Sequence, residues 1–190
     1  TGGGGFAVKP SVFVGDGPVG IALGDFNSDG KPDFATANYN SADISIKFGD
    51  GQGGFSGNLL LSVLPYPGSL VIGDFNSDNK QDIATISATL NKITIREGNG
   101  LGSFSGSTEI STGSNPNFIT VGDFNRDGKQ DLATSNYLDN TVSIRLGNGL
   151  GNFSGTTDVA VGDGPNSVAV GNFNGDDFQD IVTSNYFGNT

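Results

Sequence analysis

The sequence predicts an all-β protein, a β-propeller of four-stranded antiparallel blades. Three observations carry this: a fixed repeat, a strand-like alternation inside it, and room for four short strands in each unit. GDFNSDGKPD at 24–33 returns as GDFNSDNKQD at 73–82, GDFNRDGKQD at 122–131 and GNFNGDDFQD at 171–180, a step of 49 residues with no insertion. Phe6, Phe55, Phe104 and Phe153 keep the same step, as do Pro18, Pro67, Pro116 and Pro165. A unit of about 40–50 residues holding four strands has the length of a propeller blade. Residues 1–190 thus form a single propeller region of repeats 2–50, 51–99, 100–148 and a shortened 149–190.

Within the first repeat an inner strand is expected near 19–24, just after Pro18, a second at 33–38 and a third at 43–48. In the third strand Ile44, Ile46 and Phe48 alternate with Ser45 and Lys47; Val142, Ile144 and Leu146 alternate with Ser143 and Arg145. That period of two is the pattern of a half-buried strand. Asn99-Gly100 and Asn148-Gly149 are hairpin signals leading to an outer strand, near 55–63 in the first repeat. The opening GGGGF at 2–6 matches GQGGF, GLGSF and GLGNF, so it reads as the repeat's own turn. No segment has a helical period.

One blade cannot bury both of its faces, so neighbouring blades must stack. Ile21 and Leu23, Leu70 and Ile72, Ile119 and Val121, and Val168 and Val170 are expected to supply the packed faces. Phe26, Phe75, Phe124 and Phe173 share one repeat position and are expected to wedge between blades. An outer strand near 6–14 would lack a blade of its own, and the last blade would have only two strands, near 167–173 and 180–186. Open strand edges of this kind call for cover. The expectation is a chain that is part of something longer, of about seven blades, or whose edges are completed by other copies.

Composition narrows the chemistry. Cysteine and histidine are absent, which excludes disulfides, His/Cys zinc sites and any catalytic triad that needs an imidazole or thiol. With 20 acidic and 9 basic side chains the net charge is −11, the wrong sign for a nucleic-acid surface. No apolar run approaches the ~18 residues of a membrane helix, so membrane insertion is not expected.

The motif with chemistry is D-x-N-x-D-G-x-x-D. Its first copy is Asp25, Asn27, Asp29, Gly30 and Asp33, with Lys31 offering its backbone carbonyl at the seventh position. The second copy is Asp74, Asn76, Asp78, Lys80 and Asp82, and the third is Asp123, Asn125, Asp127, Lys129 and Asp131. The fourth is Asn172, Asn174, Asp176, Phe178 and Asp180. A hard cation such as calcium takes six to eight oxygens, and oxygens at positions 1, 3 and 5 of a curled loop point toward one spot. The residue at position 6 takes the left-handed turn, which Gly permits and Asn79 tolerates. An acidic turn would use the same residue types. Four copies at constant spacing favour metal, and eleven of the eighteen aspartates lie at these positions. Four divalent ions would take the net charge from −11 to −3. With Asn172 for the first Asp and Asp177 for Gly, the fourth loop should be the weakest of the four.

GDFNSDGKPD followed by a strand, with the G-x-G-x-F turn and a Gly-Pro before the inner strand, resembles the FG-GAP/VCBS repeat family, the calcium-binding blades of integrin-type propellers. The resemblance implies calcium ligation by Asp25, Asn27, Asp29, Asp33 and their equivalents. It also implies an extracellular or cell-surface setting.

The expected function is non-catalytic adhesion, recognition or scaffolding stabilised by calcium. A carbohydrate-binding version rests on Tyr39, Tyr137 and Tyr186, which recur between the second and third strands; the second repeat has Ala88 there. Packing over their own hairpins is the leading reading of these tyrosines, and aromatic rings at loop tips also suit a cell-surface protein. The alternatives are a subunit of a surface filament or coat, and an accessory domain of a secreted hydrolase. Glu97 and Glu109 occupy unrelated repeat positions, and no irregular cluster breaking the repeat is visible as an active site.

Overall fold

In the first blade, Pro18–Gly24 (β1) turns at the acidic loop into Asp33–Asn38 (β2), which returns as Asp43–Gly49 (β3) and leads through the Gly-rich turn to Phe55–Ser62 (β4). The computed structural model describes residues 9–190. The second blade comprises β5 (Pro67–Gly73), β6 (Asp82–Ser87), β7 (Lys92–Gly98) and β8 (Phe104–Ser111). The third comprises β9 (Pro116–Gly122), β10 (Asp131–Asn136), β11 (Thr141–Gly147) and β12 (Phe153–Ala160), and β13 (Pro165–Gly171) with β14 (Asp180–Asn185) make a two-stranded sheet. Every pairing is antiparallel between consecutive strands, in the order β1-β2-β3-β4 and its repeats. The inner strands β1, β5, β9 and β13 are neighbours in space, so successive sheets stack as propeller blades.

The core lies between blades. Phe26, Ala35, Ala37, Ile44 and Ile46 of the first blade share one buried cluster with Leu70 and Ile83 of the second. Phe75, Ala84, Ile86, Ile93 and Ile95 pack in the same way with Ile119 and Leu132 of the third. The wedge is aromatic: Phe26 meets Phe104 edge-on at 5.7 Å between ring centres, and Phe75 meets Phe153 at 5.9 Å. Side-chain amides then tie the blades together. The Asp25 N–H donates to Gln81 Oε1 (2.6 Å), the Asp74 N–H to Gln130 (2.8 Å) and the Asp123 N–H to Gln179 (2.6 Å).

Several expectations need correction. Ile21 and Leu23 are exposed, as is Phe173, because among the described residues no further sheet packs on the far side of the first blade or of β13–β14. Leu70, Ile119 and Val168, which do have a neighbour, are buried. The third strands are buried on both faces rather than one. Ser45 and Ser143 are fully enclosed, and Lys47 and Arg145 nearly so. The Lys47 ammonium reaches Gly57 O (3.0 Å), and the Arg145 guanidinium reaches Ser111 O of the preceding blade (2.8 Å). In the third blade stacking covers the face that a lone sheet would leave wet; in the first, Ser45 Oγ accepts the Gly15 N–H (2.9 Å) from the segment before β1. No strand forms over 9–14, and the rest of the strand expected near 6–14, with the turn at 2–6, lies outside the described residues.

The wedge makes a direct test. Phe75→Ala should lower stability by about 3–5 kcal/mol, read from the urea midpoint. Phe173→Ala, at the exposed equivalent, should change it by less than about 0.5 kcal/mol.

Candidate metal centre

The first three acidic loops are built from the same local turns. The first Asp receives amides from across the loop: Asp29 N–H to Asp25 Oδ1 (3.0 Å) and Gly30 N–H to Asp25 Oδ2 (2.9 Å). Asn27 Oδ1 accepts from the same Asp29 N–H (3.1 Å), so the oxygens of positions 1 and 3 are drawn to one donor. Asp74 with Asn76, and Asp123 with Asn125, repeat this arrangement. Two residues per loop are left-handed. At position 6, Gly30, Asn79, Gly128 and Asp177 have φ of 79°, 62°, 78° and 68°. At position 4, Ser28, Ser77, Arg126 and Gly175 have φ of 56°, 59°, 61° and 79°, a second turn that the sequence reading missed.

In the first three loops the ninth position is a buried tie. Asp33 Oδ2 accepts the Phe26 N–H (2.9 Å) while Oδ1 accepts the Gly49 N–H (2.8 Å) at the end of β3. Asp82 and Asp131 hold Phe75 with Gly98, and Phe124 with Gly147, in the same way. Asp180 accepts the Phe173 N–H (2.9 Å). Gly49, Gly98 and Gly147 cannot be replaced freely, since a Cβ there would run into the carbonyl oxygen of Pro32, Gln81 or Gln130.

The fifth-position aspartates face outward and meet the seventh-position lysines. Asp29, Asp78 and Asp127 pair with Lys31, Lys80 and Lys129 at 3.1, 3.4 and 3.7 Å. The lysine, expected to offer only its backbone carbonyl, thus also has a side-chain partner in each of these loops. The hydrogen bond from the Lys31 ammonium holds the Asp29 carboxyl below its ordinary pKa. In the fourth loop Phe178 replaces lysine and lies under the Arg126 guanidinium, 5.0 Å from the ring centre. Asn172 there accepts from Gly175 N–H (2.6 Å).

Burial pushes the Asp82 carboxyl up to about 6, against the pull of the Gly98 and Phe75 amides, and the charges of Asp78 and Asp74 add to the rise. Asp131 is raised for the same reasons, with Asp127 and Asp123 as its neighbours. Among the described residues no three carboxylates draw together closely enough to hold an ion by themselves. By its chemistry the donor set still fits a hard cation. Each of the first three loops offers three carboxylates, one amide oxygen and one backbone carbonyl, with no nitrogen or sulfur donor. The repulsion felt by Asp82 is the kind a cation relieves.

A family model for the FG-GAP-like repeat matches residues 25–85, 74–134 and 123–183. The chain belongs to the FG-GAP-like repeat family. Each match begins at the first Asp of a loop and ends in the second strand of the following blade. No curated protein matches the chain. Among solved structures it is similar to BBS1N in complex with ARL6DN, at a TM-score of 0.64 and 13% identity in mercury-soaked crystals, and 0.62 and 14% in lead-soaked ones. Both likenesses cover 90% of this chain and 52% of the other, so the FG-GAP-like chain spans about half the length of those structures. It is also similar to the exotype rhamnogalacturonan lyase YesX (TM-score 0.54, 15% identity, 88% of this chain and 38% of that one). At these identities the likeness shows the fold alone.

The raised carboxyls give a signed pH dependence. Asp82 binds its proton more tightly folded than unfolded, so its contribution is greatest below the ordinary value of 3.8 and is lost as pH rises through about 6. Urea denaturation in chelator should therefore give lower stability at neutral pH than at about pH 4.5, and Asp82→Asn should flatten the difference.

Proposed function

We propose that this FG-GAP-like chain is a calcium-stabilised recognition propeller that acts outside the cell or at its surface and catalyses no reaction. The observation that carries this reading is the buried ninth-position aspartate, which in the second and third blades feels the charge of two further carboxylates of its loop. Asp25, Asn27, Asp29, Asp33 and the Lys31 carbonyl, with their equivalents, would hold the ion. Calcium would supply positive charge where the turn between inner and second strand gathers negative charge. Because Asp33 and its equivalents also tie in the end of the third strand, stabilising them stiffens the whole blade. Low-affinity sites of this type fill at the millimolar calcium found outside cells. The fold of BBS1N, seen there in complex with ARL6DN, supports a role in protein recognition. The partner classes proposed are a cell-surface protein, a glycan, or further copies of the chain at its open blade faces.

Calorimetry on chelator-treated protein should resolve more than two calcium sites with Kd of ~10⁻⁵–10⁻³ M, and the melting temperature should climb with free calcium. Melting that ignores calcium overturns the metal reading. Asp127→Ala should remove more of the calcium-dependent rise than Asp176→Ala, since the fourth loop already has Asn172 in place of its first carboxylate.

A further inference from the structure

The repeat is broken at three places far apart in sequence, and the fold brings all three into one groove. Gly17, Asn115 and Gly164 stand at a left-handed position before the inner strands, yet the second repeat puts Tyr66 there at φ 56°. The first, third and fourth repeats carry Tyr39, Tyr137 and Tyr186 after the second strand, and the second carries Ala88. Gly20, Ser69 and Ser167 occupy one inner-strand position, which in the third repeat is Phe118. Tyr66, Ala88 and Phe118 line a single groove of about 640 Å³ across the starts of the inner strands, together with Tyr39, Asn117 and Asn166. It lies at the opposite end of those strands from the acidic loops.

The groove's chemistry is specific. None of its lining residues is charged, in a chain with 29 charged side chains. The Tyr39 and Tyr66 rings sit 5.0 Å apart at its wall, and both are partly exposed along with Phe118. Asn117 and Asn166, both exposed, also line it, and the Asn117 side-chain amide donates to Asn166 Oδ1. A bulky residue in the left-handed region is strained, and such strain persists where a site uses it. Gly or Asn would serve the turn better, so the turn itself does not account for Tyr66. Ala88 removes the ring that would otherwise occupy the space. Aromatic faces beside paired donor and acceptor amides, without charge, suit a ligand with apolar faces and equatorial hydroxyls.

We propose that this groove binds a neutral saccharide, with Tyr66 and Phe118 as stacking platforms and Asn117 and Asn166 bonding to hydroxyls. The proposal rests on reading the chain as a recognition propeller. The test is an array of neutral, sialylated and sulfated oligosaccharides probed with the 190-residue chain in calcium, followed by calorimetry with the best neutral binder. Neutral glycans should bind and charged ones should not. Tyr66→Gly and Ala88→Tyr each restore the residue found in other repeats, so both variants should fold. Each should weaken binding by about tenfold or more, with calcium-dependent melting unchanged. Absence of neutral-glycan binding while calcium still raises the melting temperature overturns the groove reading alone. So does unaltered binding by both variants, or capture of a proline-rich peptide in place of a glycan. Glycan binding retained in a protein whose melting ignores calcium upholds the groove and overturns the metal reading.

Discussion

One buried carboxylate in each of the first three blades fixes the geometry on which the rest depends. Asp33, Asp82 and Asp131 each join three pieces of chain: the strand they start, the acidic loop before it, and the end of the third strand. A buried carboxylate must be fully bonded, and two backbone amides do that work here. Holding the Phe26 or Phe75 amide in place also sets the ring of that residue into the seam with the next blade. The acidic loop, the end of the blade and the packing between blades are therefore one unit. Charge added at the loop is felt in the seam.

Much of this was legible in the sequence because it repeats. The strands fall where alternation and turn residues put them, and Phe26 and Phe75 wedge as their shared position implied. What escaped depends on relations between blades. Gln81, Gln130 and Gln179 recur at the 49-residue step, but a glutamine inside an acidic loop carries no sign that its acceptor faces the neighbour's first loop amide. The polar face of the third strand reads as solvent-facing, since Ser45 and Arg145 are polar; the preceding blade covers Arg145, and the segment before β1 bonds to Ser45. The left-handed Ser28 and Arg126 are invisible for a different reason, as neither residue type announces that conformation. The groove was missed because Tyr66, Ala88 and Phe118 look like drift between repeats until the fold assembles them.

The acidic loops were legible as a donor set but not as an arrangement. Type and spacing name the oxygens; they do not say that the first and third positions share an amide while the fifth turns to its lysine. Those choices follow from the second left-handed residue, which curls the loop back on its own N–H groups. The fourth loop keeps the backbone curl with Asp177 at φ 68° while losing the first carboxylate, so shape and charge have separated there.

The bond between blades has a consequence for how such a chain can change length. In the second and third repeats the donor half, the first loop amide, and the acceptor half, the glutamine seven residues further along, face opposite neighbours. An in-frame duplication of one whole unit therefore creates a new joint ready-made, with both halves present and nothing else to alter. An insertion between the two halves, within the acidic loop itself, would part them. The uninterrupted spacing of 49 residues is the pattern that duplication of whole units would produce.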